Sequence, residues 1–582
     1  MNINQKNFTH PLTSHQNQVR QFNSPHDSIR ILSLGGFGDV TQNMFVYEYA
    51  PNGDFSKSQI IVVDCGVGFP EEDAFGVDLQ IPDAKYLEDK KDRILGIFIT
   101  HGHEDHIGAV RFILPVLGQN IPIYAPKLAA ALIQARLEES NVKAILRTYD
   151  DTKPIVVGPF AVDPIRVTHS IPDTYHFAIN TPSGIFYHGS DFKFDLFPLD
   201  GKHADIPKIA KIGQGNVVCL LSDCLGSDHA GFSPSERTIA ENFEYEIKTA
   251  KGRVFVTSIS SNIVRWSQAI DYAKRAGRKV VVVGFSVDRA INIAKDLGYI
   301  DLKNSDIVPV ERVKNFGDNK LIFLVAGFAG QPDSALSKMV MGKHRVKIKS
   351  GDKVIFSSPD YIPGTASSIH RMIDNLSKMG AQVVYGEKEE LHVSGHGYQK
   401  EHALLIRLLN PKYLLPIGGN YRHIRSYQNM ARDLGYVDSQ FVSPDFNSVV
   451  TFHGSSFDTD LHLPLRKVLI DGLGIGDVGA TVLRDRKTLA EDGMFSVVLL
   501  VNSQTGELQK EPVVLSRGFV FVKENTDLIN YLKQETAIKF KAVTSSPPNF
   551  DFIRTQIQAH IEQIIFDKTG RQPMVLPLVI EV

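Results

Sequence analysis

From residue 29 onward, apolar positions fall into short β-rich runs that alternate with runs of helical spacing. "SIRILSLGG", "SQIIVVDCG" and "RILGIFITH" read as strands bounded by Gly and Asn turn signals. "IGAVRFILPVL" and "KLAAALIQARLEE" read as amphipathic helices, and further strands follow at "FAVDPIRVTHS", "GIFYHGSD" and "NVVCLLSD". From about 233 the alternation becomes regular. "SPSERTIAENFEYEIKTA" carries a capping signature, Ser233 with Glu236 three residues on, and predicts a helix. "GRVFVTSIS", "RWSQAIDYAKRAG", "RKVVVVGFS" and "DRAINIAKDLGY" then alternate strand and helix, which predicts a parallel α/β unit. Polarity breaks at "HGSSFDTDLHL". A shorter α+β segment follows, with strands "MFSVVLLVNS" and "GFVFVKE" and the long helix "FDFIRTQIQAHIEQIIFDKTG".

Composition changes this picture little. At 582 residues the chain is too long for one core and suggests about three or four domains. No apolar run approaches the ~18 residues of a membrane span. The N-terminus is polar, rich in Asn, Gln and His, and lacks the pattern of a signal peptide, so a disordered tail and a cytoplasmic protein are expected. Cys65, Cys219 and Cys224 make no disulfide framework or CxxC pair. A net charge of −2 leaves no global footprint for nucleic acid. The basic run "SKMVMGKHRVKIKSGDK" (337–353) is the best candidate for a local nucleic-acid patch, with a solvated face the favoured reading on charge alone.

The chemistry concentrates in "FITHGHEDHIGAV". His101 stands at the C-terminal end of a strand, and a helix begins near Glu104–His106. His101 and His103 therefore face one point from the turn, and Asp105 and His106 face a neighbouring one. Desolvating this much ionisable chemistry at a strand end is costly unless a metal is bound. Strand ends also carry Asp64 ("VVDCG"), His169 ("VTHSIPDTYH") and Asp191 ("YHGSDFKFD"). One such residue is usually a cap or turn residue; in this order, together with HxHxDH, they point to a metal centre. "GGFGDVTQN" lacks the third glycine of GxGxxG, and neither a Walker A motif nor GxSxG occurs.

That order resembles the metallo-β-lactamase superfamily of binuclear metallohydrolases. Longer stretches, among them "VVDCGVGFPEEDAFGVDLQIPD", "THGHEDHIGA", "HSIPDTYHFAI", "SSNIVRWSQ", "HVSGHGYQKE" and "DGLGIGDVGATVLRDRKTLAEDG", resemble the ribonuclease J family of β-CASP nucleases from about residue 29 to the C-terminus. The resemblance implies an α/β fold: a metallo-β-lactamase αββα sandwich with an inserted β-CASP α/β domain and a small C-terminal α+β domain. The expected layout is a tail over 1–28, the metallo-β-lactamase domain over 29–222 and 386–455, the β-CASP domain over 223–385, a linker over 456–469 and an assembly domain over 470–582. It further implies that His101, His103 and His169 hold one Zn²⁺, that Asp105 and His106 hold a second, and that Asp191 bridges them, with Mn²⁺ or Mg²⁺ as alternatives. Asp64 would orient a ligand histidine. Substrate contacts fall on Ser260, Ser261 and Asn262 and on His392, Val393, Ser394, Gly395 and His396. His396 is the candidate to stabilise or protonate the leaving group, and Asp64, Asp105, Asp191 and His396 make up the catalytic set. Relatives also carry a structural Ca²⁺ at positions matching Gly76, Asp78 and Asp471.

The implied activity is endonucleolytic and 5′-to-3′ exonucleolytic cleavage of single-stranded RNA, leaving 5′-phosphate and 3′-hydroxyl ends. A homodimer or homotetramer and RNA-decay partners are also implied, and no membrane. The rival readings are an inactive or weakly active RNA-binding subunit and a hydrolase for another substrate, such as DNA or a small ester. The chain departs from the family pattern at several points. The family's last ligand histidine, in a segment like P-V-H-G-E, is Gly418 in "LLPIGGNYRH", with His423 five residues on. A segment like G-R-S-M reads "GFSV" (284–287), T-G-S-Q-G-E reads "AGFAGQ" (326–331), P-G-N-E reads "PGTA" (363–366), and S-D-S-T-N reads "SDCLGS" (222–227).

Overall fold

The computed structural model describes residues 27–582 except 71–73, 332, 359–364, 387–389, 445–446, 455, 473, 521–524 and 546–547. The tail up to residue 26, the first half of "PGTA" and the end of "GFVFVKE" thus lie outside the described residues. The chain divides into two compact units, one over residues up to 68 and 81–467, the other over 69–80 and 468–582.

The first unit holds two sheets face to face. One has eight strands, in the order Ser456–His462, Ser448–His453, Ser28–Gly35, Met44–Ala50, Gln59–Val63, Ile94–Phe98, Pro122–Pro126, Ile145–Tyr149. The last four run parallel. The other has six strands, in the order Tyr413–Ile417, Val217–Asp223, Gly184–Gly189, Thr174–Thr181, Phe160–Val167, Ile155–Val157. Its first three strands run parallel to one another. Inward side chains of both sheets, including Ile31, Phe45, Phe98, Phe177, Phe186 and Leu220, form one continuous core. The parallel strands all deliver their C-terminal ends to the same edge of the sandwich, and the chemistry-bearing residues leave from there.

Between Val217–Asp223 and Tyr413–Ile417 the chain makes a separate five-stranded parallel sheet, in the order Lys279–Val283, Leu321–Val325, Val254–Thr257, Lys353–Phe356, Gln382–Val384. Helices Ile263–Arg275 and Phe285–Asp296 follow its strands, as the strand–helix rhythm predicts.

Three expectations need correction. The helix read from 233 begins only at Ala240. Its supposed cap is used elsewhere: the Ser233 amide and hydroxyl donate to Glu401 at 2.7 and 2.9 Å, and Glu236 pairs with Arg265 at 2.8 Å. The tail does not extend to 28, because Ser28 opens a strand and the Asp27 carboxylate accepts from the Tyr49 hydroxyl at 2.8 Å. The linker over 456–469 begins as a strand. Ser456–His462 is polar because it is the edge of the eight-stranded sheet, with a single neighbour.

In the second unit, strands Val513–Arg517, Met494–Val501 and Met574–Glu581 form a sheet whose inner face packs on helices Thr526–Val543 and Phe550–Thr569. A strand runs over "VVLSR", immediately before "GFVFVKE", whose last four residues lie outside the described ones. The calcium expectation does not fit this unit. The Arg486 guanidinium pairs with the Asp471 carboxylate and donates to the Phe75 carbonyl at 2.9 Å. A cation of the chain's own already serves Asp471, while Asp78 accepts the Gly472 amide at 2.8 Å. Among the described residues, no helix is long and apolar enough to cross a membrane.

Candidate metal centre

The strand Ile94–Phe98 runs into His101, His103 and the helical turn Glu104–Ile107, which holds Asp105 and His106. Phe160–Val167 leads to His169, and Gly184–Gly189 leads to Asp191. These donors converge into two groups sharing Asp191, with the ligand atoms of each group within 4.8 Å of one another. In the first group, His103 Nδ1 lies 3.1 Å from both His101 Nε2 and His169 Nε2. Asp191 Oδ2 lies 3.8 Å from His101 Nε2 and 3.6 Å from His169 Nε2. In the second, His106 Nε2 lies 3.6 Å from Asp105 Oδ2 and 3.4 Å from Asp191 Oδ1. Donors bonded tetrahedrally to one Zn²⁺ at ~2.0–2.1 Å stand about 3.4 Å apart, so both groups have the spacing of ligands around an ion. Asp191 turns one oxygen to each.

Electrostatics agree with this donor chemistry. Burial holds His101 and His103 well below the usual histidine range and His169 down to about 4, leaving all three as neutral ligand imidazoles. Burial would also lower His106, but Asp191, Asp105 and Asp64 outweigh it and raise that ring. Asp105 is pushed up to about 6, chiefly by burial.

Groups behind the donors fix their orientation. Asp64 Oδ2 accepts from His106 Nδ1 at 2.8 Å, while Asp64 Oδ1 accepts the Thr100 amide at 2.8 Å. His169 Nδ1 donates to the Gly395 carbonyl at 2.7 Å. A Cβ on Gly395 would stand 2.8 Å from the His169 ring, so that position needs glycine in order to approach a donor histidine.

Sequence reasoning missed Asp223. It ends the strand Val217–Asp223, between the strands that lead to Asp191 and to Gly418, and its Oδ2 accepts from His396 Nδ1 at 2.8 Å. Asp191, Asp223 and His396 form a third converging group. Burial would lower His396, but Asp223 and Asp191 raise it to about 9. The available signal was that Asp223, like Asp64, closes a buried strand. Gly418 follows the neighbouring strand with φ +65°, and a Cβ there would lie 3.5 Å from Asp223 Oδ1, in ordinary contact. Position 418 thus borders the centre without contributing a side chain. His423 does not replace it: its Nδ1 accepts the Asn420 amide at 3.2 Å, and its Nε2 faces Asp228 at 3.5 Å.

The expected substrate residues divide into two kinds. Ser260 Oγ bonds Ser286 Oγ at 2.9 Å, and Ser394 Oγ accepts the His396 amide at 3.0 Å. Asn262 Oδ1 accepts the Arg265 amide and caps the helix Ile263–Arg275, with Ser261 immediately before it. Val393 is buried, and His392, pushed down to about 3 by burial, faces Arg265 and Lys193. Asn262 and Val393 thus also take part in the packing, and His392 is half-buried beside them.

Residues 38–189 match the metallo-beta-lactamase superfamily, 251–376 the ribonuclease J beta-CASP domain, 381–440 the Zn-dependent metallo-hydrolase RNA specificity domain and 481–582 the ribonuclease J C-terminal domain. Ribonuclease J2 of Bacillus subtilis is 35% identical over 560 residues, covering 96% of this chain and 99% of that protein. The chain belongs to the ribonuclease J family. Ribonuclease J of Thermus thermophilus is 35% identical, with 96% of each chain covered, and ribonuclease J 1 of Streptococcus pyogenes is 34% identical over 95% of this chain and 98% of its own. A crystal structure of an Enterococcus faecalis protein of unknown function aligns with a TM-score of 0.52 over 73% of this chain and all of its own, at 14% identity, and so shares the fold. The ribonuclease J layout, a metallo-β-lactamase domain interrupted by a β-CASP domain and followed by a C-terminal domain, is the architecture described above.

Proposed function

We propose that this protein is a metal-dependent ribonuclease that hydrolyses single-stranded RNA, acting both as an endonuclease and from the 5′ end, and leaving 5′-phosphate and 3′-hydroxyl termini. The observation that carries this reading is the convergence of the two donor groups on Asp191, in a chain that matches ribonuclease J relatives over nearly its whole length. His101, His103, His169 and Asp191 would hold one Zn²⁺, and Asp105, His106 and Asp191 a second. Two such ions, when bound, supply Lewis acidity at the phosphoryl oxygens and a water that is nucleophilic at neutral pH. The chain's own residues do the rest. Asp64 and the Gly395 carbonyl keep the rings of His106 and His169 aimed into the centre. His396 carries a proton because Asp223 accepts from its Nδ1, which leaves Nε2, 3.8 Å from Asp191, to donate to the departing 3′-oxygen. The Ser260 and Ser261 hydroxyls lie on the loop before the helix Ile263–Arg275, where they suit the RNA backbone.

A second reading, an RNA-binding subunit with little or no activity, is favoured by one observation: Gly418 leaves the Asp105–His106 group without a further protein ligand. For assembly, we propose self-association through the C-terminal sheet, whose outer face exposes Leu515, Leu576, Leu578 and Ile580.

The test is to count bound metal per chain and incubate the protein with 5′-monophosphorylated and 5′-triphosphorylated RNA beside a His101→Ala control. Cleavage that depends on His101 is expected. Cleavage surviving His101→Ala would overturn the mechanism, and two metals without cleavage of any RNA would select the subunit reading.

A further inference from the structure

At "GFSV" the chain carries an aromatic ring, Phe285, and the structure leaves that ring in the open. Phe285 is the first residue of the helix Phe285–Asp296 and is 71% exposed. A single exposed apolar side chain needs no explanation by itself. What distinguishes Phe285 is its surroundings.

One face of the ring is backed by the Arg289 guanidinium, 4.9 Å from the ring centroid, in the position of a cation–π pair. Arg289 is itself held by Glu139, at the end of the helix Lys127–Glu139 in the other lobe of the unit. Glu139 lies 3.8 Å from Arg136, and Arg136 pairs with Glu104, inside the HGHEDH loop and next to Asp105. Arg111 faces the same four charges. Arg111, Arg136 and Arg289 are thus interleaved here with Glu104 and Glu139, and Asp288 is exposed between Phe285 and Arg289 on the same helix. On the other side, the next residue along the helix, Ser286, meets Ser260 hydroxyl to hydroxyl at 2.9 Å. Phe285 therefore stands one residue from the serine loop and is joined to the metal loop by a chain of ion pairs.

We propose that Phe285 is a stacking platform for one nucleobase of single-stranded RNA, its ring fixed by Arg289. The choice of RNA as ligand rests on the ribonuclease reading above. An exposed aromatic face backed by a guanidinium holds single strands with little sequence preference, because every base has a π-face. A guanidinium at this position would take a phosphate and lose grip as salt rises; a phenyl ring takes a base and is nearly indifferent to salt.

The test measures coupling between the ring and one base. Full-length metal-loaded protein is titrated with a short 5′-monophosphorylated oligoribonucleotide made resistant to cleavage by phosphorothioate linkages. In a series of such RNAs each nucleotide in turn lacks its base, and dissociation constants are read by fluorescence anisotropy. In the wild type, removing one particular base weakens binding about tenfold. Phe285→Ala weakens binding of intact RNA by the same factor and loses nothing further with that abasic RNA, while Phe285→Trp restores both affinity and sensitivity. Abasic penalties that are the same in Phe285→Ala as in the wild type at every position overturn the proposal, because a merely structural role leaves them untouched. A wild type that cuts ordinary RNA but shows no coupling removes the platform alone. Coupling without cleavage keeps the platform and removes the ribonuclease reading. A wild type that binds no RNA removes both.

Discussion

Gly418 is a single residue whose backbone and whose missing side chain pull in opposite directions. Its φ of +65° suits glycine, and a side chain there carries a left-handed penalty of about 1–2 kcal/mol. The space beside it is nevertheless open toward Asp223, so the first atom of an imidazole side chain makes only ordinary contacts, at 3.5 and 3.9 Å. Gly418→His should therefore lower the melting temperature of the chelator-treated protein. On adding Zn²⁺ it should gain more than the wild type does, because a bound ligand stabilises by RT ln(1 + [L]/Kd) and the second ion would be held more tightly. Thermal unfolding of both proteins with EDTA and with Zn²⁺ measures this. An equal metal-induced gain in the two proteins means position 418 does not face the ion. At this scale the sequence was informative where donors are adjacent, as in HGHEDH. It was silent on Asp223, whose meaning depends on which strands lie beside Val217–Asp223, and no local pattern records that.

Among the elements, the two central strands of the six-stranded sheet bury two histidines that bind nothing in the proposed mechanism. His176 and His188 are both pushed down to about 3 by burial, and His188 Nδ1 is 2.9 Å from the Tyr47 hydroxyl. In the unfolded chain a histidine titrates near ~6.5. The unfolded state therefore takes up protons that the folded state refuses, and the stability each ring contributes is complete above ~6.5 and is lost as pH falls toward 3. Each contributes a slope of about 1.4 kcal/mol per pH unit inside that window. Urea unfolding of His188→Gln between about pH 6 and 4.5 should show a dependence shallower by roughly one proton than the wild type. Parallel curves would mean that His188 is protonated in the fold. Element types were mostly readable from periodicity: Lys127–Glu139 is a helix over the span its pattern gives. The helix start at Ala240 was not readable, because Ser233 and Glu236 form a capping pattern in sequence but serve Glu401, Arg265 and Lys193 in space. Likewise, Ser456–His462 is polar enough to pass for a linker and is a strand only because Ser448–His453 is there to pair with it.

For the whole molecule, the C-terminal sheet alternates buried and exposed positions along Val513–Arg517 and Met574–Glu581, and its exposed positions are apolar except for Arg517 and Glu581 at the strand ends. A monomeric surface rarely keeps such a stripe. Leu515→Glu combined with Leu578→Glu should shift the protein to a smaller species in size-exclusion chromatography with light scattering. Its metal content should stay unchanged. An unaltered mass would remove this face as the assembly surface. The metal centre has a consequence of another kind. With glycine at 418, every side chain proposed to hold an ion, from His101 to Asp191, is encoded before the inserted β-CASP domain begins. During synthesis at roughly 5–20 residues per second, the donors have all left the ribosome well before the strand Tyr413–Ile417 is made. A histidine at 418 would make the second ion wait for the insertion to be translated and folded. In this chain no donor side chain waits for the insertion, and only the Gly395 carbonyl that aims His169 is made after it.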